Sequence, residues 1–178
     1  NTTTCCTTTI SSTTTATTTS TTTIVSTIDP LEIGAEVSQD ELTTTIGVLA
    51  GFGTRFTGTA GELDARDYLV SRFESYGYTV EIDTFKFSGE ESANIIVRSE
   101  GTKFPDEIVI FSAHYDSTST APQTEAPGAD DNASAVAAVL EAARLLADIP
   151  TQASVWFILT GAEEQGAMGA KQVVSWLP

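Results

Sequence analysis

Two almost wholly apolar segments, separated by an alanine-rich one, constrain the fold of this chain most strongly. "EIVIFSA" at 107–113 and "ASVWFILTG" at 153–161 carry apolar residues at consecutive positions, so both faces of each predicted strand need cover. Between them, "ASAVAAVLEAARLLAD" at 133–148 predicts a helix whose alanine-rich face allows close packing. We therefore expect both segments to be interior strands of a helix-covered sheet.

The upstream segments add helices and half-buried strands. "SQDE" at 38–41 and "TAGE" at 59–62 have the form of capping boxes, and they predict a helix to about Leu49 and a second one ending near Gly77. The second helix has an apolar face formed by Leu63, Tyr68, Leu69, Phe73 and Tyr76.

"GFGTRFTG" is predicted to be a loop, whereas "YTVEIDTFKF" and "ANIIVRS" are predicted strands, and "GAMGAKQVVSWL" is a predicted helix. The fold class is thus α/β, a three-layer sandwich with a mixed, largely parallel sheet flanked by helices.

Residues 1–28 are mostly threonine and are expected to form a low-complexity linker, because they offer too little apolar surface to bury. Such tracts are either O-glycosylated stalks or unmodified spacers, and the sequence leaves both open. Cys5 and Cys6 are adjacent, so intermolecular pairing or free thiols are expected rather than a bond between them.

The charge of the chain excludes some partners. It has 24 acidic against 8 basic residues, a formal net charge of −16 at pH 7. Such a surface repels nucleic-acid phosphates and anionic lipid heads. No apolar run approaches the ~20 residues of a membrane span, so we expect neither nucleic-acid nor membrane binding.

Acidic side chains follow each of the two apolar segments and precede the helix between them. Ligands of open α/β sheets bind at the carboxyl ends of the strands, so these side chains are expected to share one edge. The set comprises the only histidine of the chain and five carboxylates: His114, Asp116, Asp130, Asp131, Glu163 and Glu164. Five carboxylates at a partly buried edge need raised pKa values or a polyvalent cation, and imidazole with oxygen ligands suits zinc.

Each motif also has a simpler explanation. A single histidine is more often a hydrogen-bonded residue than a ligand, "ADDNAS" can cap the following helix, and "EE" before a helix can be a solvated pair. Their placement after successive strands is what favours a metal site over these alternatives.

"SAHYDS", "APGADDNASAVAAVLEAARLLA" and "ILTGAEEQGAMGA", in this order and spacing, closely resemble the co-catalytic zinc aminopeptidases of peptidase family M28. The resemblance runs from about Ser38 to the end of the chain. It implies that His114 binds one zinc, Glu164 binds the other and Asp130 bridges both. It further implies a cis peptide bond between Asp130 and Asp131.

The resemblance assigns supporting and catalytic roles as well. Asp116 is expected to orient the His114 ring, and Asp131 is expected to lie beside the ligands without binding metal. Glu163 is expected to be the general base that takes a proton from water and passes it to the leaving amine.

The family site also has one aspartate and one histidine ligand from later in the chain, which are expected beyond Pro178. Residues 29–178 are therefore expected to be the N-terminal part of an incomplete zinc peptidase catalytic domain, inactive alone.

The implied function is a zinc-dependent exopeptidase, an aminopeptidase with two zinc ions, acting on peptides outside the cell or at its surface. A glutaminyl-peptide cyclase-like zinc transferase is the first alternative, although that group usually lacks the double aspartate before Asn132. The second is a non-catalytic, peptidase-like binding ectodomain, against which the retained ligand residues argue.

Overall fold

A computed structural model describes residues 29–177 of the chain. The predicted linker at 1–28, with Cys5 and Cys6, lies outside the described residues. The helices and strands run in the order α1 (Pro30–Ala35), α2 (Gln39–Gly51), α3 (Ala60–Ser75), β1 (Val80–Phe87), β2 (Glu90–Ser99), β3 (Phe104–His114), α4 (Ser134–Leu146), β4 (Ala153–Thr160) and α5 (Met168–Val174). A π-helical turn, Ala129–Ala133, leads into α4.

The four strands of the described part form one mixed sheet in the order β1-β2-β4-β3. The β1/β2 and β2/β4 pairs are antiparallel, and β3 pairs with β4 in parallel through the α4 crossover. The predicted mixed α/β sheet flanked by helices is confirmed, but the expectation that the sheet is largely parallel is not met among the described strands, where one of three pairings is parallel.

Helices cover both faces of the sheet because consecutive apolar side chains of the central strands point to opposite faces. On one face, α2, α3 and α4 pack against Ile95, Val97, Phe157 and Leu159. On the other face, Val173 of α5 packs against Ile96 and Ile158. Period-two alternation in β2 and β4 thus divides the core into two layers and gives the three-layer arrangement expected from the sequence.

The two predicted capping boxes are half correct. Ser38 Oγ accepts a hydrogen bond from the Glu41 amide at 3.2 Å, and Thr59 Oγ1 accepts one from the Glu62 amide at 3.3 Å. The glutamate side chains do not accept a hydrogen bond from the backbone amides of the N-cap residues, because those amides donate to other acceptors. The Ser38 amide donates to Glu141 Oε1 at 2.6 Å instead.

The buried face of α3 differs from the predicted one at its first position. Ala65, Leu69 and Phe73 are fully buried at four-residue spacing, whereas Leu63 is 48% exposed. A helix turns about 100° per residue, so a position two residues before Ala65 points away from this face.

The prediction of two interior strands is correct for β4 and wrong for β3. Within residues 29–177, β4 lies between β2 and β3, while β3 forms an edge of the sheet. Val109, Ile110 and Phe111 are 50%, 42% and 36% exposed. Apolar composition indicates that a strand needs cover, but it does not identify the segment that covers it. Among the described helices, none is both long and apolar enough to cross a membrane.

Candidate metal centre

Three segments bring their functional side chains together at one edge of the sheet. His114 ends β3, the π-helical turn lies before α4, and Glu163 and Glu164 follow β4. Because β3 and β4 are parallel and pair His114 with Thr160, both strands deliver their following residues to the same edge. One ligand atom from each of His114, Glu163 and Glu164 lies within 4.8 Å of the other two.

The two nitrogens of the His114 ring face different partners. Nδ1 lies 3.2 Å from the Asp116 backbone carbonyl and 3.5 Å from its carboxylate. Nε2 lies 3.0 Å from Asp131 Oδ1 and 4.0 Å from Glu163 Oε2. A proton on Nδ1, shared with Asp116, leaves the Nε2 lone pair free to bind a metal ion among carboxylates.

Asp116 organises the turn that carries both glutamates. Its side chain is fully buried, and its two carboxylate oxygens accept hydrogen bonds from the Glu163 and Glu164 amides at 3.0 and 3.1 Å. One carboxylate thus contacts the histidine and fixes the backbone of two more acidic residues. Asp116 therefore connects the end of β3 with the turn after β4.

The structure places Asp131, rather than Asp130, beside the imidazole. The carboxylates within 4 Å of the ring nitrogens belong to Asp116, Asp131 and Glu163. Asp130 is not among them and is solvent exposed. The geometry therefore brings Asp131, predicted to support the site, next to the imidazole, whereas Asp130, predicted to bridge two ions, does not contact the ring nitrogens.

The cis peptide bond lies between Asp131 and Asn132, not between Asp130 and Asp131 as expected. Asp131 and Asn132 have non-helical dihedral angles inside the π-helical turn, so the backbone changes direction there before α4 begins. Two adjacent aspartates on such a turn project differently, which spacing alone does not reveal.

The carboxylates around His114 set the charge of the site. Burial by itself lowers the pKa of His114, but Asp116, Glu163 and Asp131 together outweigh burial and raise the pKa to about 9. Burial, followed by the neighbouring Asp131 carboxylate, raises the pKa of Glu164. These acidic groups repel one another, so a bound cation would stabilise all of them together.

The donor set fits zinc. An imidazole nitrogen and carboxylate oxygens are common zinc ligands, and His114, Glu163 and Glu164 offer them within a few ångströms. Asp131 adds a fourth donor next to the imidazole. The buried Asp116 beneath the histidine is the partner that zinc-binding histidines usually have.

Sequence reasoning missed Arg55, which lies beneath this site. The side chain is completely buried, although "GFGTRFTG" predicts only a loop. Burial lowers the pKa of Arg55 to about 10, against the opposing effect of Asp116, so the guanidinium stays charged at neutral pH. An isolated arginine among glycines, in a chain with only 8 basic residues, was the available signal.

Known proteins are similar to this chain in sequence and in fold. A probable zinc metalloprotease of Pyrenophora teres f. teres is 34% identical over 169 residues, which cover 82% of this chain and 36% of the relative. A Zn-dependent exopeptidase from Parabacteroides distasonis has a TM-score of 0.62 at 25% identity, over 71% of this chain and 47% of that one. Porphyromonas gingivalis glutaminyl cyclase has a TM-score of 0.65 at 26% identity, over 75% and 50%.

A mixed sheet with an imidazole and carboxylates collected after its parallel strands defines the class as the zinc-exopeptidase fold. The family model for peptidase family M28 matches residues 94–177, which contain every residue of the site. The chain belongs to peptidase family M28, a family of zinc metallopeptidases. It spans about a third of the length of the curated relatives that it matches.

Proposed function

We propose that the protein is a zinc-dependent exopeptidase, an aminopeptidase that removes N-terminal residues from peptides. The convergence of His114, Asp131, Glu163 and Glu164 at one sheet edge carries the proposal. The names of a zinc metalloprotease relative and an exopeptidase neighbour support it. The activity is assigned to the full-length protein, because the chain spans only part of those relatives.

In this proposal His114 Nε2, Asp131 and Glu164 would hold the two zinc ions. Zinc bound there would act as a Lewis acid toward the scissile carbonyl and lower the pKa of water. Asp116 keeps the imidazole oriented through Nδ1 and fixes the two glutamates through their amides. The missing ligands would come from an aspartate and a histidine later in the full-length protein.

Glu163 is the proposed general base. Its carboxylate lies 4.0 Å from His114 Nε2 and its side chain is 42% exposed, so water and substrate can reach it beside the ligands. It would take a proton from the water whose oxygen attacks the peptide carbonyl. As the carbon–nitrogen bond breaks, it would pass that proton to the leaving amine.

Secretion and peptide substrates are part of the same proposal. The net charge of −16 supports partners other than nucleic acids or anionic lipids. The threonine-rich segment at 1–28 supports a location outside the cell or at its surface.

A Glu163→Gln variant of the full-length protein tests the mechanism. We expect hydrolysis of amino-acid p-nitroanilides to fall by about 10²–10⁴-fold, because the amide cannot accept the proton. Zinc content, measured by atomic absorption, should stay at the wild-type value. A Glu164→Gln variant is the matched control and should lose zinc together with turnover, since it removes a proposed ligand.

Unchanged turnover in Glu163→Gln would remove this residue as the base. The structural similarity to Porphyromonas gingivalis glutaminyl cyclase favours a cyclase as the second candidate function. Zinc-dependent cyclisation of N-terminal glutamine without peptide cleavage would replace the aminopeptidase proposal. A wild-type protein free of zinc and inert on both substrates would indicate a binding ectodomain.

A further inference from the structure

Arg55 is an unusual buried cation because backbone carbonyls, rather than carboxylates, accept its hydrogen bonds. Nε donates to the Tyr115 carbonyl at 2.7 Å, and Nη1 donates to the Leu49 and Pro127 carbonyls at 3.0 and 2.6 Å. Nη2 donates to the Gly128 carbonyl at 3.0 Å. Among the described residues, no carboxylate lies within 4.0 Å of this guanidinium.

These four carbonyls belong to three segments that meet under the site. Tyr115 stands between His114 and Asp116, and 127–128 leads directly into the turn that holds Asp131. Leu49 lies in α2, which provides a fixed support. The planar guanidinium therefore connects the two segments that deliver the imidazole and the aspartate.

The backbone of Arg55 repeats this connection through Ser117. The Arg55 amide donates to Ser117 Oγ at 3.0 Å, and Ser117 Oγ donates to the Ala126 carbonyl at 2.6 Å. Gly128 leaves room for the contact, since a Cβ there would lie 2.9 Å from Arg55 Nη2. The main chain and the side chain of Arg55 thus tie the residues that follow β3, 115–117, to 126–128 before the π-helical turn.

We propose that Arg55 is a positioning residue for the metal ligands, setting the distance between His114 and Asp131. The proposal rests on the metal site proposed above. A guanidinium presents five donors in a rigid planar fork and can reach carbonyls on three sides at once, whereas a lysine ammonium is a point donor. Arginine is therefore required for its shape as well as for its charge.

The test compares Arg55→Lys and Arg55→Met with wild type in the full-length protein. Zinc dissociation constants come from competition with a chromogenic chelator. Removing a group that orients a ligand typically weakens metal binding about 10–100-fold, and we expect this for both variants. Absorption spectra of the Co²⁺-substituted proteins should change in band position or intensity, because the ligand geometry relaxes.

Leu69→Ala is the control for general destabilisation. Leu69 is fully buried in α3, and it takes part in none of the hydrogen bonds that Arg55 makes. We expect its melting temperature to fall while its zinc affinity and cobalt spectrum stay those of wild type. If Arg55→Met does not fold, Arg55→Lys alone decides the question.

Two results would overturn the positioning role of Arg55. One is wild-type zinc affinity in a folded Arg55→Lys protein, and the other is an affinity loss that Leu69→Ala reproduces at the same melting temperature. A wild-type protein that binds no zinc would instead refute the proposed function itself, so the two failures are distinguishable.

Discussion

At the scale of single residues, two adjacent aspartates before α4 have different surroundings. Asp131 Oδ1 lies 3.0 Å from His114 Nε2, whereas Asp130 lies outside the 4 Å surroundings of the ring. Both carry the same charge and both are exposed, so they differ in the direction in which their side chains point. Direction decides which of them can bind a metal ion together with the imidazole.

We expect Asp131→Asn to weaken zinc binding more than about 100-fold, beyond the loss typical of an orienting residue, because a charged ligand becomes a neutral amide. Asp130→Asn removes the same charge one position earlier and should keep affinity within about twofold, since its carboxylate is exposed and contacts neither nitrogen of the imidazole. Chelator competition on the two variants gives both values. Equal losses, or a larger loss in Asp130→Asn, would restore the bridging role to Asp130.

The sequence could identify the chemistry of this site but not every residue that serves it. His114, Glu163 and Glu164 stand out because they follow apolar strands, and strand ends meet at one edge. Spacing cannot separate Asp130 from Asp131, because the turn geometry that aims them depends on tertiary contacts. The structural role of Arg55 was not predicted for a related reason, since its hydrogen-bond acceptors are backbone carbonyls from segments distant in the chain.

At the scale of elements, the start of α3 buries a carboxylate. Glu62 is 2% exposed, and it accepts hydrogen bonds from the Gly58 amide at 2.7 Å and from Ser92 Oγ at 2.5 Å. Burial raises the pKa of Glu62, and these hydrogen bonds offset only part of that effect. A neutral glutamine there can accept from the Gly58 amide through its oxygen and donate to Ser92 Oγ through its nitrogen, without the cost of burying a charge.

A Glu62→Gln variant should therefore be more stable than wild type at pH 7. The raised pKa means that the protonated form contributes stability below the unfolded pKa of about 4.3, and that this contribution is lost as pH rises through the folded pKa. The gain should be about 1.4 kcal/mol per unit separating the two pKa values. It should vanish below pH 4, where both proteins are neutral at this position.

Urea unfolding at pH 7 and pH 4 measures that difference. Glu74→Gln changes an exposed glutamate of the same helix and should leave the free energy of unfolding unchanged at both pH values. A Glu62→Gln protein less stable than wild type at pH 7 would mean that the ionised carboxylate gains more from its hydrogen bonds than it loses by burial.

The positions of helices and strands along the chain were more predictable than the places of the strands in the sheet. Periodicity indicates α2, α3, α4 and the strands because it records which face of a segment needs cover. The edge position of β3 was not predictable, because the apolar composition of 107–113 does not indicate which segments lie beside the strand. Leu63 was misassigned because the edge of a helical face depends on rotation by a few tens of degrees.

At the scale of the whole molecule, the site joins segments that are far apart in the chain. His114, Asp131 and Glu163 come from the end of β3, the turn before α4 and the turn after β4. An unfolded chain does not hold them together, so an ion that binds them stabilises the folded state by mass action. The net charge of −16 adds repulsion that a divalent cation relieves locally.

Zinc removal should therefore lower the stability of the full-length protein as a whole. At a free zinc concentration of 100 times the dissociation constant, the free energy of unfolding rises by about 2.7 kcal/mol. This corresponds to a rise in melting temperature of roughly 5 °C, which scanning calorimetry with and without a chelator can measure. Asp130→Asn should keep this zinc-dependent rise and Asp131→Asn should lose it, although both variants have the same net charge. An equal rise in wild type and both variants would mean that zinc binds diffusely to the acidic surface, because only a specific site depends on which aspartate remains.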